Sequence, residues 1–347
     1  MKDKKYVSLY NFVKDKIISG EYKAGSRLPS KRVMADMSGC SSITVEAAYS
    51  MLCDEGYIEA RERSGYFVQK TDAVFTEKPK FSFSPLPEET VSADGDFEYS
   101  LWFKTVRKVL SEKERLLFVK SPGKGVATLR NALSEYLYRY RAMAANPECI
   151  IIGSGAEQLY ETALKVLGRE RLYGIENPSY PQIEAVYRGE GARIEKLAMG
   201  KNGIKSEALR QSCADVLHVT PFQSYPTGIT TPVSKKYEYL KWAKDGKYIV
   251  EDDFNSEFFI PGQPVETLYS LDRDEKIIYI NTFSKSLTPS IRVGYMILPP
   301  HLLPEYNRKM GMFSCSVPVL EQYVLAEFIK SGSFERHLNR MRRKMKK

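Results

Sequence analysis

The feature that most constrains this chain is an alternation of short apolar runs and helical patterns across its middle. Seven runs of four to seven residues, rich in Ile, Val, Leu and Tyr, lie at 149–152, 171–175, 192–197, 215–219, 247–251, 276–280 and 292–298. Helical patterns fit between them, for example at 158–167 and 234–244. Such alternation predicts an α/β domain with a mainly parallel sheet, whose sites lie in loops at the strand C-termini.

The first seventy residues show a different organisation, with three helical patterns. Leu9, Phe12, Val13 and Ile17 repeat with the helical period, and Gly20 ends that helix. A second helix begins after the predicted N-cap Ser30, with an expected apolar face of Val33, Met34 and Met37. Ser41 or Ser42 caps a third helix that Gly56 closes, with apolar positions Val45, Ala48, Tyr49 and Leu52.

Two extended segments, 57–60 and 66–68, follow these helices and are joined by a basic turn at 61–65. Three helices and a basic-tipped hairpin predict a winged helix-turn-helix whose third helix enters the major groove of DNA. Residues 1–70 carry three of the nine net positive charges, and 334–347 carry six. The candidate DNA-contacting residues are Lys31, Arg32, Ser41, Ser42, Thr44, Arg61, Arg63 and Ser64.

The run from Leu9 to Val68 resembles the GntR class of bacterial repressors, through LPSKR, TVEAAYSML, DEGYIEA and SGYFV. The family often has arginine where Ser42 stands, so Ser42 and Thr44 would contact phosphate or a base edge instead. The alternative is a helical trio that only mediates protein contacts. Residues 71–98 are rich in Pro, Ser, Glu and Asp and are predicted to link domain 1–70 to a second domain, 99–347.

Three loops of the second domain carry candidate chemistry. Ser154, Gly155 and Ala156 follow the first strand and open a helix, where small residues let backbone N–H groups approach a phosphate. Asp252 and Asp253 follow another strand, where a carboxylate can keep a pyridinium nitrogen protonated. Small residues often form only a tight turn, and acidic loops are usually just solvated, so neither loop alone identifies a site.

The third loop contains Lys285, flanked by the hydroxyl residues Thr282 and Ser284 and followed by Arg292. A lysine in a mostly apolar stretch can act as a Schiff-base nucleophile, because burial and positive neighbours lower its pKa. The hydroxyls and Arg292 can hold a phosphate. The three loops in this order are much more specific than any one of them.

Together the loops resemble the fold type I aminotransferases, in particular the MocR branch, in which such a domain follows a GntR domain. The matching segments are GSGAEQ, ENPSYP, TPFQSYPTG, EDDFNSEF and TFSKSLTPSIRVGY. The resemblance implies a pyridoxal-5'-phosphate (PLP) cofactor bound covalently to Lys285, with Asp252 on the ring nitrogen and Asp253 as the fallback. It implies that Tyr180 stacks on the ring, and that the phosphate is held by Ser154, Gly155, Ala156, Thr282 and Arg292.

The chain departs from this family at three places. Phe254 replaces a tyrosine that contacts the phenolic oxygen of the cofactor, so Tyr225 or a water is expected to serve there. Tyr225 stands before Pro226, where working aminotransferases have asparagine. Relatives continue into a small C-terminal subdomain, whose arginine binds the carboxylate of a ligand, and this chain stops before it. We therefore expect a truncated product or fragment that responds poorly to amino acids. Arg130 and Arg188 are candidate substitutes for that arginine, but their spacing does not place either of them near the ring.

The sequence therefore predicts a multi-domain protein: an N-terminal winged helix-turn-helix plus an α/β fold type I PLP-dependent transferase-like large domain. Its predicted function is a DNA-binding transcriptional regulator. The alternatives are an aminotransferase with a fused DNA-binding domain and a degenerate remnant that binds only DNA. We expect double-stranded DNA and a second copy of the chain as partners, and an amino acid or amine as effector. The five cysteines form no CxxC pair, so we expect reduced thiols, a cytoplasmic location and no metal site. The sequence has no apolar run long enough to span a membrane and no leader-like start, so we expect no membrane association.

Overall fold

The computed structural model describes residues 5–62, 64–69, 97–244, 246–254, 256–258 and 266–344. The chain divides into two compact units, Met1–Val91 and Ser92–Lys347. All but two residues of the predicted linker lie outside the described residues. The last two belong to the second unit, where Phe97 is buried in the core and Glu98 pairs with Arg340. None of the helices in the described ranges is both long and apolar enough to span a bilayer.

The first unit is a winged helix-turn-helix, as predicted. Its elements are α1 (Lys5–Ile18), α2 (Lys31–Ser38), α3 (Ser42–Asp54), β1 (Ile58–Arg61) and β2 (Gly65–Val68). The two strands form an antiparallel hairpin in which Ile58 pairs with Val68. Capping serines set the starts of two helices: the Ser30 side chain accepts the Val33 N–H at 3.3 Å, and the Ser41 side chain accepts the Thr44 N–H at 3.2 Å. Ser41, rather than Ser42, is therefore the cap of α3.

The core of the first unit confirms most of the predicted apolar positions. Helices α1 and α3 contribute eight residues to this core: Leu9, Tyr10, Val13 and Ile17 from α1, and Val45, Ala48, Tyr49 and Leu52 from α3. The predicted face of α2 is correct for Met34, which is buried, but wrong for Val33 and Met37, which are 48% and 67% exposed. The second residue that this eight-residue helix buries is Ala35, which was not predicted.

In the described residues the second unit contains ten α-helices, four short 3₁₀ helices and eight strands. The helices are α4 (Tyr99–Lys113), α5 (Ala127–Arg141), α6 (Ala156–Leu167), α7 (Pro181–Gly189), α8 (Ser206–Gln211), α9 (Val233–Trp242), α10 (Leu268–Leu271), α11 (Leu303–Met310), α12 (Val319–Lys330) and α13 (Ser333–Lys344). The strands are β3 (Ile150–Gly153), β4 (Leu172–Asn177), β5 (Arg193–Gly200), β6 (Gly203–Ile204), β7 (Val216–Val219), β8 (Tyr248–Asp252), β9 (Ile277–Thr282) and β10 (Gly294–Ile297). Every predicted strand is present, and the two-residue β6 was not predicted.

The eight strands form one sheet in the order β3-β10-β9-β8-β7-β4-β5-β6. The central pairs are parallel, whereas β10 runs antiparallel to both β3 and β9. Helices cover both faces: Ile150 and Ile152 pack into a core with α5 and α12, and Ile151 packs on the opposite face with α6 and α7. This three-layer α/β arrangement confirms the predicted fold class and brings the loops after β3, β8 and β9 to one edge of the sheet.

Candidate active site

The register of the sheet brings the three candidate loops together. Gly294 on β10 pairs with Gly153 on one side and with Thr282 on the other. Asp252, the last residue of β8, pairs with Ile280 on β9. The small-residue loop, the Asp252 loop and the lysine loop therefore leave the sheet at the same edge.

A candidate anion-binding arrangement lies at the start of α6. Gly155 precedes the helix with φ of 101°, and a Cβ there would lie 2.5 Å from Nη2 of Arg292. Glycine is thus needed both for the backbone conformation and for the approach of the guanidinium. Arg292 in turn donates from Nη2 to Oε2 of Glu157 at 2.7 Å. A guanidinium above the positive end of a helix is suited to a phosphate.

Asp252 lies buried at the centre of a polar cluster. Its Oδ2 accepts the Tyr160 hydroxyl at 2.5 Å, and Nε2 of His218 lies 3.9 Å away. Nδ1 of His218 is 2.8 Å from the Tyr187 hydroxyl. Nε2 of His218 has no hydrogen-bond partner among the described residues. One ring nitrogen of the cluster, Nε2 of His218, is therefore available for a further hydrogen bond near the Asp252 carboxylate.

Asp253 is committed to a different network. Its Oδ2 accepts from Nη2 of Arg141 at 2.6 Å, from the Tyr279 hydroxyl at 2.7 Å and from the Ser256 hydroxyl at 2.5 Å. Arg141 and Asp253 are both almost fully buried. A buried carboxylate with three donors serves the packing of this region, so the geometry favours Asp252 over the fallback.

Lys285 lies in the loop after β9, with its Nζ 4.6 Å from the centre of the Phe254 ring. Partial burial lowers the pKa of the Lys285 ammonium. The neighbouring Ser286 hydroxyl is buried without a partner in the described part of the chain. Of the flanking hydroxyls, that of Ser284 is 3.5 Å from the Ile291 carbonyl oxygen, and Thr282 is half-buried.

Two tyrosines approach each other near these loops. The ring centres of Tyr180 and Tyr225 are 6.0 Å apart, and the rings are perpendicular. Tyr180 is 37% exposed and Tyr225 is 57% exposed. Burial raises the pKa of Tyr180, and the negative charges of Glu157 and Asp252 act in the same direction. Tyr180 therefore lies within electrostatic reach of both the anion-binding arrangement and the Asp252 cluster.

Glu176, at the end of β4, is a buried acid beside this region. Its Oε2 accepts the Ser224 hydroxyl at 2.7 Å, and its Oε1 has no partner among the described residues. Burial raises the pKa of Glu176 to about 8, against hydrogen bonds from Ser224 and the Thr220 backbone that lower it. The contact ties β4 to the loop that carries Tyr225.

The two arginines considered as substitutes for a carboxylate-binding arginine have other partners. Nη1 of Arg130 donates to the Pro147 carbonyl at 2.6 Å and to Glu148 at 2.9 Å. Arg188 pairs with Glu184 one helical turn away, at 2.9 Å. Arg130 is thereby a buried structural group, and Arg188 is a solvated helix residue.

The DNA-binding candidates of the first unit differ in whether they have a partner within the protein. Lys31 pairs with Glu46 at 2.5 Å, and Arg61 pairs with Glu59, so both must exchange partners to contact phosphate. Arg32, Ser42 and Ser64 are exposed. The hydroxyls of Ser41 and Thr44 are 2.9 Å apart within the cap of α3, and Arg63 lies outside the described residues.

Sequence reasoning did not identify several residues of the site. Tyr160 and Tyr187 lie on amphipathic helices, where an aromatic residue is typical of a core position. His218 and Glu176 had a usable signal, because each is a titratable residue in or at the end of an otherwise apolar strand. Glu157 was visible only as part of the GSGAEQ segment.

The fold and the site define a class of protein: a winged helix-turn-helix joined to an aminotransferase-type α/β domain. Residues 5–68 match the family described as bacterial regulatory proteins, gntR family, and residues 96–347 match aminotransferase class I and II. The chain belongs to the MocR-like transcriptional regulators, which combine these two domains. The predicted resemblance is thus confirmed.

Curated relatives match along nearly the whole chain. The HTH-type regulator YdeL of Bacillus subtilis is 33% identical over 99% of this chain and 77% of its own length. The probable rhizopine catabolism regulatory protein MocR of Rhizobium meliloti is 28% identical over 96% of this chain and 73% of its own. The pyridoxine biosynthesis regulator PdxR of Corynebacterium glutamicum is 27% identical over 94% of this chain and 73% of its own length.

Solved structures similar to the second unit are aminotransferases. LysN, an α-aminoadipate aminotransferase of Thermus thermophilus, superimposes with a TM-score of 0.63 at 28% identity, over 71% of this chain. An archaeal alanine:glyoxylate aminotransferase superimposes with a TM-score of 0.63 at 24% identity, over 70% of this chain. This chain covers 64% and 62% of the two enzymes.

Proposed function

We propose that this regulator binds duplex DNA through its first unit and PLP through its second, and that occupancy of the second unit governs DNA binding. The observation that carries the cofactor proposal is the convergence of three groups at one sheet edge. These groups are Arg292 against Gly155, the buried carboxylate of Asp252, and the Lys285 amine with its lowered pKa.

The residues at this edge fit the cofactor in charge and in kind. PLP, when bound, supplies a carbonyl that reacts with amines and a ring that withdraws electrons. Lys285 offers the amine, since a lowered pKa keeps more of it neutral near pH 7. Arg292 and the start of α6 offer positive charge for the phosphate, with Ser154, Ala156, Thr282 and Ser284 alongside.

The ring would lie between an acid and an aromatic side chain. Asp252 would hold the proton of the ring nitrogen, and Tyr160 and His218 would keep its carboxylate oriented. Tyr180 would stack on the ring. Phe254 cannot donate a hydrogen bond, so Tyr225, which is largely exposed, would serve the phenolic oxygen.

For DNA we propose that α3 lies in the major groove and the β1–β2 hairpin contacts the backbone or minor groove. Arg32, Ser42 and Ser64 are exposed and need no rearrangement. We further propose a homodimer, an amino acid or amine as effector, and a cytoplasmic location. The free thiols of all five cysteines support that location.

The cofactor proposal is tested by adding PLP to the purified chain and recording its absorbance spectrum. Lys285→Ala should abolish the protein-bound band, whereas Lys201→Ala, on an exposed turn, should retain it. Borohydride reduction should fix the cofactor to the peptide containing Lys285. Cofactor on another lysine, or no binding at excess PLP, would overturn the assignment.

The regulatory proposal is tested by measuring DNA affinity with and without PLP. A change in affinity that Lys285→Ala abolishes would support it, and equal affinities would refute it. Incubation with an amino donor and a keto acid addresses the aminotransferase alternative, which the similarity to LysN favours. Turnover abolished by Lys285→Ala would establish that alternative.

A further inference from the structure

The first turn of α6 contains an acid at the place where the cofactor phosphate would bind. Glu157 is the second residue of the helix, and its Oε2 lies 2.7 Å from Nη2 of Arg292. A Cβ built on Gly155 would meet that same nitrogen at 2.5 Å and Oε2 of Glu157 at 3.3 Å. Carboxylate and guanidinium therefore both lie against the glycine that opens the helix.

This carboxylate occupies the position of an anion. A helix N-terminus and an arginine form a favourable place for negative charge, and here Glu157 already supplies it. A phosphate with about two negative charges would compete for the same guanidinium and would be repelled by the carboxylate.

The pair is able to separate. The side chain of Arg292 is 51% exposed and that of Glu157 is 41% exposed, so the carboxylate can rotate into water without leaving a buried charge. Exposed pairs of this kind contribute little stability. Glu157 is thus a competitor that can be displaced, not a block.

We infer that Glu157 is an internal competitor for the cofactor phosphate, which holds Arg292 in the free protein and lowers the affinity for PLP. The inference rests on the proposed PLP site and adds a residue that sets its affinity. Its consequence is an occupancy that follows the concentration of free PLP, because the competitor weakens binding of phosphate-bearing ligands while leaving the Lys285 loop unchanged.

The test is a PLP titration followed by absorbance with Glu157→Gln, which keeps the shape and removes the charge. The dissociation constant should fall about tenfold at low salt, from the loss of one repulsive charge within a few ångströms of the phosphate, and less at high salt. Glu161→Gln is the matched control, since Glu161 lies one turn further along α6 and pairs with Lys165. It should leave the affinity unchanged.

Pyridoxal, which lacks the phosphate, separates this inference from a general effect on the site. Its affinity should be the same for the original chain and for Glu157→Gln. An equal gain for pyridoxal, or an unchanged or weaker affinity for PLP, would overturn the competitor role. Glu157→Ala provides a second variant that should shift PLP affinity in the same direction.

The outcomes also distinguish this inference from the proposed function. PLP binding with no effect of Glu157→Gln refutes only the competitor. Absence of PLP binding by the original chain and by every variant refutes both. A melting curve for each variant confirms that it is folded at the temperature of the titration.

Discussion

Glu176→Gln should stabilise the second unit at alkaline pH and have little effect at acidic pH. In the folded chain the carboxyl of Glu176 is buried beside Ser224, and its pKa is raised from 4.5 to about 8, mainly by burial. Near neutral pH it is therefore mostly protonated. Glutamine is neutral at every pH, has nearly the same shape and still accepts the serine hydroxyl.

The magnitude follows from the pKa difference. Between pH 4.5 and 8 the unfolded chain has released a proton that folded Glu176 retains. The free energy of unfolding therefore falls as the pH rises through this window and levels off above it. A difference of about 3.5 between the two pKa values corresponds to about 5 kcal/mol, so the advantage of Glu176→Gln should grow from about 1 kcal/mol at pH 5 to about 5 kcal/mol at pH 9.

The assay is urea unfolding followed by tryptophan fluorescence at several pH values from 5 to 9. Both tryptophans, Trp102 and Trp242, lie in the second unit, so the signal is independent of the DNA-binding unit. Burial also raises the pKa values of Glu251 and Glu257 to about 7. Those two acids are present in both proteins, and their contribution cancels in the difference.

Glu195→Gln is the matched control, because Glu195 also accepts a serine hydroxyl, from Ser212 at 2.7 Å, but is only partly buried. Because Glu195 is not fully buried, Glu195→Gln should lack the gain of several kcal/mol at alkaline pH that is expected of Glu176→Gln. A difference between Glu176→Gln and the original chain that stays constant from pH 5 to 9 would refute the reasoning, since it would mean that Glu176 is ionised in the folded chain.

Three further substitutions test other parts of the molecule. Gly155→Ala should displace Arg292 and weaken binding of PLP but not of pyridoxal in spectroscopic titrations; equal weakening of both would contradict a phosphate role. Asp253→Asn should cost about 3–5 kcal/mol in urea unfolding because buried Arg141 loses its counter-charge, and a loss below 1 kcal/mol would show that water or another acid replaces it. Arg32→Ala should weaken binding to all DNA sequences about equally and lower the slope of log affinity against log salt by about one, whereas a loss confined to one sequence would indicate base readout.

The fold was largely predictable because its strands and loops have strong local signals. Runs such as Ile150–Gly153 and Ile277–Thr282 are apolar on both sides, as strands covered by helices on both faces of a sheet require, and glycine or polar residues end them. The family segments added the order of the loops. The residues at 150–298 thereby predicted both the sheet and the edge at which the candidate site lies.

What the sequence did not predict depends on contacts between distant residues. Nothing in the sequence near Asp252 and Asp253 distinguishes the roles of the two acids. The structure distinguishes them because Arg141, 112 residues away from Asp253, binds Asp253. The pairing of Arg292 with Glu157 joins positions 135 residues apart. The prediction for α2 was correct for Met34 but wrong for Val33 and Met37, because the helical period does not by itself say which side of the helix faces its neighbours.

The sheet order has a consequence for the sequence of events during synthesis. β3, which leads into the small-residue loop, is an edge strand whose sheet neighbour is β10, more than 140 residues later in the chain. Until Gly294–Ile297 has left the ribosome, β3 has no strand to pair with, and the start of α6 lacks Arg292. The first unit of a growing chain can therefore fold well before the proposed phosphate site at the start of α6 is complete.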